Sequence, residues 1–357
     1  MPYFKTNGVI ISGISAAVPT TVINTETLTK NFDSAYIQKF IKSTGITCCH
    51  QTNDNQTASD LGFAAAENLL VAKRIDRSDV GVLIFVTTSP DYRKPSTSCV
   101  LQKRGNYPVD CACMDIIHGC AGFMYGHQTM QAMMQTSECR YGILILGETT
   151  SKVIDKQEGN AMMFGDAGAA VLYERKEGTE NLTLLRTEGS RFKSLIVPSG
   201  GFRDLCPQES CFTDSNGIKH SKFNLYMDGM DVFNFATTEV LNSIKEYLAR
   251  IGKSSKDFDI FACHQANNYI IQRLAKKLDF PKEKVPICLD RYGNTSSVSI
   301  PLLLCDRFGG KEGINRKILA SGFGIGLAWG VTSFEIDTGI VLPVIETDDY
   351  YKDGIIN

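Results

Sequence analysis

Long apolar runs are missing from this chain. Its most apolar stretches, such as Val82 to Val86 and Ile143 to Leu146, fall far short of the ~18 residues that a membrane-spanning helix needs. Charge of one sign is missing too: 37 Lys and Arg stand against 39 Asp and Glu, a net charge of -2. That balance offers no general attraction to nucleic acid or to an anionic membrane, so any basic site must be local. Residues 1–13 have neither the basic start nor the long apolar stretch of an export signal. A cytoplasmic protein with reduced thiols is expected, and a disulfide scaffold is not. No C-x-x-C pair occurs, Cys48 and Cys49 are adjacent, Cys111 and Cys113 form a C-x-C pair, and the five histidines do not fall at finger spacing. No metal site is expected from that spacing.

Cysteine itself is plentiful, with 12 in 357 residues. Most can serve as small buried hydrophobes, since free cysteine is among the most buried residue types. The open question is whether one of them does chemistry.

Short Val-, Ile- and Leu-rich runs alternate with longer amphipathic stretches, the pattern of a mainly parallel sheet covered by helices. Strands are predicted at 82–87, 109–115, 142–146, 167–173, 259–264, 285–289, 317–320 and 330–336. Helices are predicted at 57–73, 121–134, 232–251, 269–278 and 298–308. The two halves repeat weakly: Cys120 precedes Leu144 by the same 24 positions that separate Asn294 from Ile318. A duplicated unit folded about a pseudo-twofold would bring the helix starts at Cys120 and Asn294 together in mid-molecule. The expected division is residues 1–176 and 177–357.

Asp115-Ile-Ile-His-Gly-Cys120-Ala-Gly-Phe runs from a strand through a tight turn into a helix, with Gly119 and Gly122 allowing a sharp bend and close packing. A cysteine in the first turn of that helix would meet unpaired N–H groups and the positive end of the macrodipole, which lower a thiol's pKa. A packing cysteine fits the local sequence equally well. His264, in Phe-Ala-Cys-His264-Gln-Ala-Asn267, ends a predicted strand, where α/β proteins project side chains into sites at the carboxyl edge of the sheet. It is the best candidate base. Asn294, in Gly-Asn294-Thr-Ser, could donate its amide to a developing enolate oxygen or act as a helix cap. Gly322-Phe-Gly324-Ile-Gly326 lies between two predicted strands, where a bare backbone can aim an N–H at an oxyanion. Because these glycines lead into a strand, a dinucleotide loop is not expected.

Cys-Ala-Gly-Phe, His-Gln-Ala-Asn, Gly-Asn-Thr-Ser and Gly-Phe-Gly-Ile-Gly-Leu-Ala-Trp-Gly, in this order, resemble the β-ketoacyl-acyl carrier protein synthase III family. Thr57-Ala-Ser-Asp60-Leu-Gly, Phe164-Gly-Asp-Ala-Gly-Ala-Ala-Val-Leu172 and Met227-Asp-Gly-Met-Asp-Val-Phe233 extend the likeness to about Ile336. The resemblance implies an α/β protein of the thiolase-like fold, two duplicated halves packed as five αβαβα layers, and a homodimer. It implies Cys120 as acylated nucleophile, His264 and Asn294 as its partners, and the backbone N–H groups of Cys120 and Ile325 as oxyanion hole. The expected reaction is a decarboxylating condensation of an acyl thioester primer with malonyl-acyl carrier protein, in fatty-acid or related specialised biosynthesis. The expected partners are acyl carrier protein and acyl-CoA or another acyl thioester; no cofactor, nucleic acid or membrane is implied. The alternative within the fold is an acyltransferase that moves the acyl group to an alcohol or amine without loss of CO₂. Thiolases use a second cysteine in the glycine-rich loop, and Ser321 to Gly326 has none; elongating synthases pair two histidines, where this chain has His264 and Asn294.

Departures from the family concern its partners. No tryptophan precedes Thr44-Gly-Ile46, Glu158 stands where an arginine is frequent, Asn268 and Tyr269 follow the His-Gln-Ala-Asn motif in place of arginine, and Asn234 replaces a frequent lysine. Lys39, Lys42, Lys152 and Lys156 could restore phosphate-binding charge. Gln265 and Tyr269 are the expected carrier-protein contacts. Lys94 and Phe323 are the expected primer-pocket residues, with Lys94 reaching the partner subunit's pocket. A lysine there either favours a polar, acidic or carrier-delivered primer over plain acetyl or turns to solvent.

Overall fold

In the computed structural model, residues 3–215 and 217–352 are described. Nine strands form one mixed sheet. They are β1 (Tyr3–Val18), β2 (Val80–Val86), β3 (Ala112–Ile116), β4 (Tyr141–Glu148), β5 (Ala167–Thr187), β6 (Ile260–Cys263), β7 (Asn315–Gly324), β8 (Ala328–Asp337) and β9 (Ile345–Glu346). The order is β6-β7-β8-β5-β4-β2-β3, with β1 along β5 and β9 along the end of β1.

The pairing repeats. β2 and β4 are parallel and β4 and β5 antiparallel; β6 and β7 are parallel and β7 and β8 antiparallel. β5 belongs to both copies, pairing with β4 through residues 167–174 and with β8 through residues 183–187. The 176/177 division therefore falls inside β5, where its register against β1 shifts between the Asn7 and Val9 pairs.

Among the described residues, seven α-helices of eight or more residues cover or separate the strands: α1 (Ser34–Thr44), α2 (Ala58–Lys73), α3 (Thr97–Arg104), α4 (Gly122–Gln135), α5 (Leu241–Arg250), α6 (Asn268–Lys277) and α7 (Ser299–Phe308). Three buried clusters show the layering. Side chains of α4 and α7, such as Met124, Met130, Leu302 and Leu304, pack between the two halves of the sheet. Those of α5 and α6 cover one outer face, and those of α2 and α3 cover the other. Helix, sheet, helices, sheet, helix is the αβαβα order of the thiolase fold. α2 starts at a Thr-x-x-Asp capping box, Thr57 and Asp60 bonding reciprocally across the first turn.

Three expectations change. Residues 285–289 form no strand: Pro286 supplies no N–H, the Cys288 N–H donates to the Gln265 side chain, and a short helix begins at Leu289. The predicted strand at 109–115 shortens to β3, a half-exposed edge strand, and Val109 is 95% exposed. The single helix at 232–251 is a short helix, a π turn over Ala236–Val240, and α5.

Candidate active site

The carboxyl ends of the parallel strands converge on one cavity of about 860 Å³. Thr88 follows β2, Ile117 and Cys120 follow β3, His264 follows β6, and Gly324 ends β7; all line it. So do Asn294, Phe323 and Ile325. Residues distant in sequence are thus gathered at the sheet's carboxyl edge, where such folds place their sites.

Cys120 is buried, one residue before Ala121, the N-cap of α4, and not within the helix's first turn as expected. Close packing locks this turn. A Cβ on Gly122 would lie 2.6 Å from Val86 and 2.9 Å from Ser297. The loop after β7 presses on Cys120 from the other side, and a Cβ on Gly324 would lie 2.6 Å from Cys120 Cβ and 2.8 Å from its Sγ. That approach lets the backbone N–H groups of Ile325 and Cys120 itself reach the sulfur and stabilise negative charge there.

The expected lowering of the thiol's pKa does not result. Burial pushes Cys120 up to about 11, the Glu148 carboxylate pushes the same way, and the hydrogen bonds from Ser296, Ile325 and Cys120 offset only part of this. An enclosed cavity costs the thiolate its hydration, and that cost exceeds what nearby N–H groups return.

His264 is 1% exposed, and burial lowers its pKa to about 3, so its ring is neutral near pH 7. Its Nδ1 lies 2.7 Å from Ser299 Oγ on α7, which leaves Nε2 for the cavity, and Phe323 stands edge-on against the ring. Asn294 Oδ1 accepts the Ser296 N–H at 2.9 Å, so its Nδ2 is the end left to donate. The Asn294 backbone is held by Met163 O and by the Gly165 N–H.

Sequence reasoning passed over the hydroxyls and the acid behind Cys120. Ser296 Oγ lies 3.8 Å from Cys120 Sγ and 3.4 Å from Glu148 Oε1. Their signal was faint: Glu148 follows the apolar strand residues 142–147, and Ser296, Ser297 and Ser299 open an otherwise apolar helix.

The expected binding residues divide. Gln265 is 1% exposed, with its Nε2 donating to Cys263 O at 2.8 Å and its Oε1 accepting from Cys288 N at 3.1 Å. It braces the loop after β6 and is not a surface contact for a carrier protein. Tyr269 is exposed, stacks on Phe233 and borders a shallow pocket with Lys42, beside the main cavity. Lys152 lines the main cavity, but its ammonium donates to the carbonyls of Asp54 and Gln56. Lys94 is exposed and lies outside its own chain's cavity, whereas Phe323 is inside it. Glu158 accepts from or pairs with His220. All twelve cysteines are free thiols. Among the described residues, no group of three or more His, Cys, Asp or Glu side chains is arranged to hold a metal ion, and no helix is long and apolar enough to cross a membrane.

Comparison with known proteins gives the lineage. The family descriptions for the N- and C-terminal parts of 3-oxoacyl-[acyl-carrier-protein] synthase III match residues 114–189 and 248–336. The chain is 33% identical over 333 residues to a Clostridium acetobutylicum β-ketoacyl-[acyl-carrier-protein] synthase III, covering 91% of this chain and 97% of that one. It is 32% identical over 327 residues to the Xanthomonas oryzae protein of the same name, covering 90% and 96%. The crystal structure of a 3-oxoacyl-(acyl-carrier protein) synthase from Burkholderia xenovorans superposes with a TM-score of 0.91 at 31% identity, covering 97% of this chain and 99% of that one. The chain belongs to the 3-oxoacyl-[acyl-carrier-protein] synthase III family, a family of condensing transferases.

Proposed function

We propose that this protein is an acyltransferase of the 3-oxoacyl-acyl carrier protein synthase III type, condensing an acyl primer with malonyl-acyl carrier protein through an acyl-Cys120 intermediate. The observation that carries this reading is the convergence of Cys120, His264, Asn294 and the Cys120 and Ile325 N–H groups on one cavity. Cys120 Sγ attacks the primer thioester, forming the Sγ–acyl bond as the carrier thiol leaves. The carbonyl oxygen of that tetrahedral intermediate meets the two backbone N–H groups. One donor of this kind is worth about 3–4 kcal/mol.

The malonyl thioester enters next. With the Ser299 hydroxyl donating to Nδ1 of His264, the ring proton sits on Nε2 and, with Asn294 Nδ2, faces the thioester oxygen. A neutral imidazole is suited to this task, because it donates without requiring a counter-ion. Loss of CO₂ leaves an enolate held by these donors, and its carbon attacks the acyl group on Cys120. Splitting the reaction in two predicts ping-pong kinetics.

The substrates are thioesters of acyl carrier protein or coenzyme A, with no resident cofactor. Tyr269 and Lys42, which border the shallow pocket beside the main cavity, are the surface residues proposed to receive the carrier. The proposed assembly is a homodimer in the cytoplasm, in which Lys94 approaches the partner's cavity. Its primer preference is tested by acyl-thioester screening with intact-mass detection; rapid labelling by acetyl-CoA alone would refute a polar, acidic or carrier-delivered primer. Condensation itself is tested by CO₂ release from malonyl-acyl carrier protein in the presence of a primer. Release coupled to a β-ketoacyl product supports the reading; transfer to an alcohol or amine without CO₂ release refutes it.

A further inference from the structure

Glu148 is a fully buried carboxylate at the end of β4 that the chemistry above does not use. Among the described residues no Lys, Arg or His pairs with it. Its partners are donors: Thr88 Oγ1 at 2.6 Å, the Thr88 N–H at 3.3 Å, Ser297 Oγ at 3.0 Å, and Ser89 Oγ and Ser296 Oγ each at 3.4 Å. One of these five is shared with the nucleophile, since Ser296 Oγ also lies 3.8 Å from Cys120 Sγ. Ser296 is held there in a left-handed conformation, φ +52°, with its N–H given to Asn294 Oδ1. A non-glycine residue keeps such a backbone only where its surroundings over-determine it.

The arrangement is a thiol, a hydroxyl and a carboxylate in series. The competing acceptor, His264, is committed at Nδ1 to Ser299, and its burial opposes taking up a proton. We infer that Glu148, acting through the Ser296 hydroxyl, accepts the Cys120 proton during acylation and holds it until the thiolate is released again. This role rests on the condensing reading. In the first half-reaction the Cys120 proton moves to Ser296 Oγ as the Ser296 proton moves to Glu148; the Sγ–acyl bond forms, and the departing carrier thiolate takes a proton from solvent. In the second, loss of CO₂ and carbon–carbon bond formation expel the Cys120 thiolate, which recovers the stored proton along the same path. The overall uptake of one proton matches the loss of a carboxylate as CO₂.

A base works best when its proton affinity lies near the working pH. Burial raises Glu148 to about 7, against the opposing pull of its hydrogen bonds. Its charge acts on Cys120, whose thiol pKa it raises. Asp166, next to Ala167, the strand partner of Glu148, turns its own carboxylate to Thr52 and Ser151. His264 lines the same cavity in its neutral form.

The test is the rate of Cys120 alkylation by iodoacetamide as a function of pH, in the full-length protein, read at the Cys120 peptide by mass spectrometry. The wild-type rate should rise through about pH 7 to a plateau and rise again as free thiolate forms near 11. Glu148→Gln should lose the first rise and react about 100-fold more slowly at about pH 8. Charge alone predicts the reverse, because an ionised Glu148 raises the Cys120 pKa and its removal would speed alkylation. An unchanged or faster Gln variant overturns the relay. Should that variant not fold, the wild-type profile decides: a single rise towards 11 with no step near 7 overturns it. CO₂ release by the same wild-type preparation keeps the two claims apart, since its absence removes the condensing reading, whereas a normal release with an unchanged Gln variant removes the relay alone.

Discussion

Gly324→Ala puts one methyl group against the Cys120 side chain. The added carbon would lie 2.6 Å from Cys120 Cβ and 2.8 Å from Sγ, whereas non-bonded carbons settle at ~3.5–4.0 Å. The loop must therefore retreat by about 1 Å. Its backbone also resists the change, because φ at Gly324 is +157°, which side-chain-bearing residues rarely adopt. Retreat carries the Ile325 N–H away from the oxygen it is proposed to serve, and a misplacement of about 1 Å costs roughly 100-fold in rate. That is about 2.7 kcal/mol of transition-state stabilisation. Single-turnover acylation of Cys120 by an acyl thioester, followed by intact mass, reads the effect directly. Thermal unfolding of the same sample shows whether the fold is kept. A folded variant acylated at the wild-type rate would refute the claim that this loop supplies the oxyanion hole.

Asn294→Ala should lower condensation by about 10²–10³-fold, because its amide serves the enolate step, and should slow acylation of Cys120 by less, through the lost hold on the Ser296 N–H; quench-flow of the two half-reactions separates them. Asp60→Ala should destabilise the protein by about 3–5 kcal/mol in chemical denaturation, since it strands Arg104, 10% exposed, without its carboxylate partner. His220 is half-buried; burial lowers its pKa, but Glu158 and Asp214 raise it further, to a value above the ordinary 6.5. The stability from charged His220 is complete below 6.5 and is lost as pH rises through the folded value. His220→Gln should consequently lower the melting temperature more at about pH 6 than at about pH 9, and equal shifts at the two pH values would contradict the assignment.

Cys120, His264 and Asn294, which the structure brings to one cavity, were legible because each lies in a short strand–turn–helix or strand-end signature. Their convergence was legible because Cys120 and Asn294 begin matching units of an internal repeat. β1 was not, although it is sixteen residues long; Gly8 and Gly13 interrupt its pattern, and its partner β5 lies far along the chain. Pro286 was visible, yet the apolar residues around it outweighed its missing N–H. Gln265 resembled a surface contact because nothing in a polar motif reveals that the chain folds over it. The thiol's pKa was misjudged for a related reason: the helix start is local and can be read from sequence, whereas the desolvation that opposes it arises from a cavity built by many distant segments. Glu148 and Ser296 are 148 positions apart, and only the packed structure joins them.

The central claim is that a Cys120 acyl-enzyme is the species that condenses. The protein is acylated, freed of excess primer, and chased in a single turnover with malonyl-acyl carrier protein, while CO₂, β-ketoacyl product and the mass of Cys120 are followed together. Loss of the acyl group from Cys120 matched one for one by CO₂ and product is the predicted result. Product formed while the acyl group stays on Cys120, or an acyl group that leaves without CO₂, would contradict it.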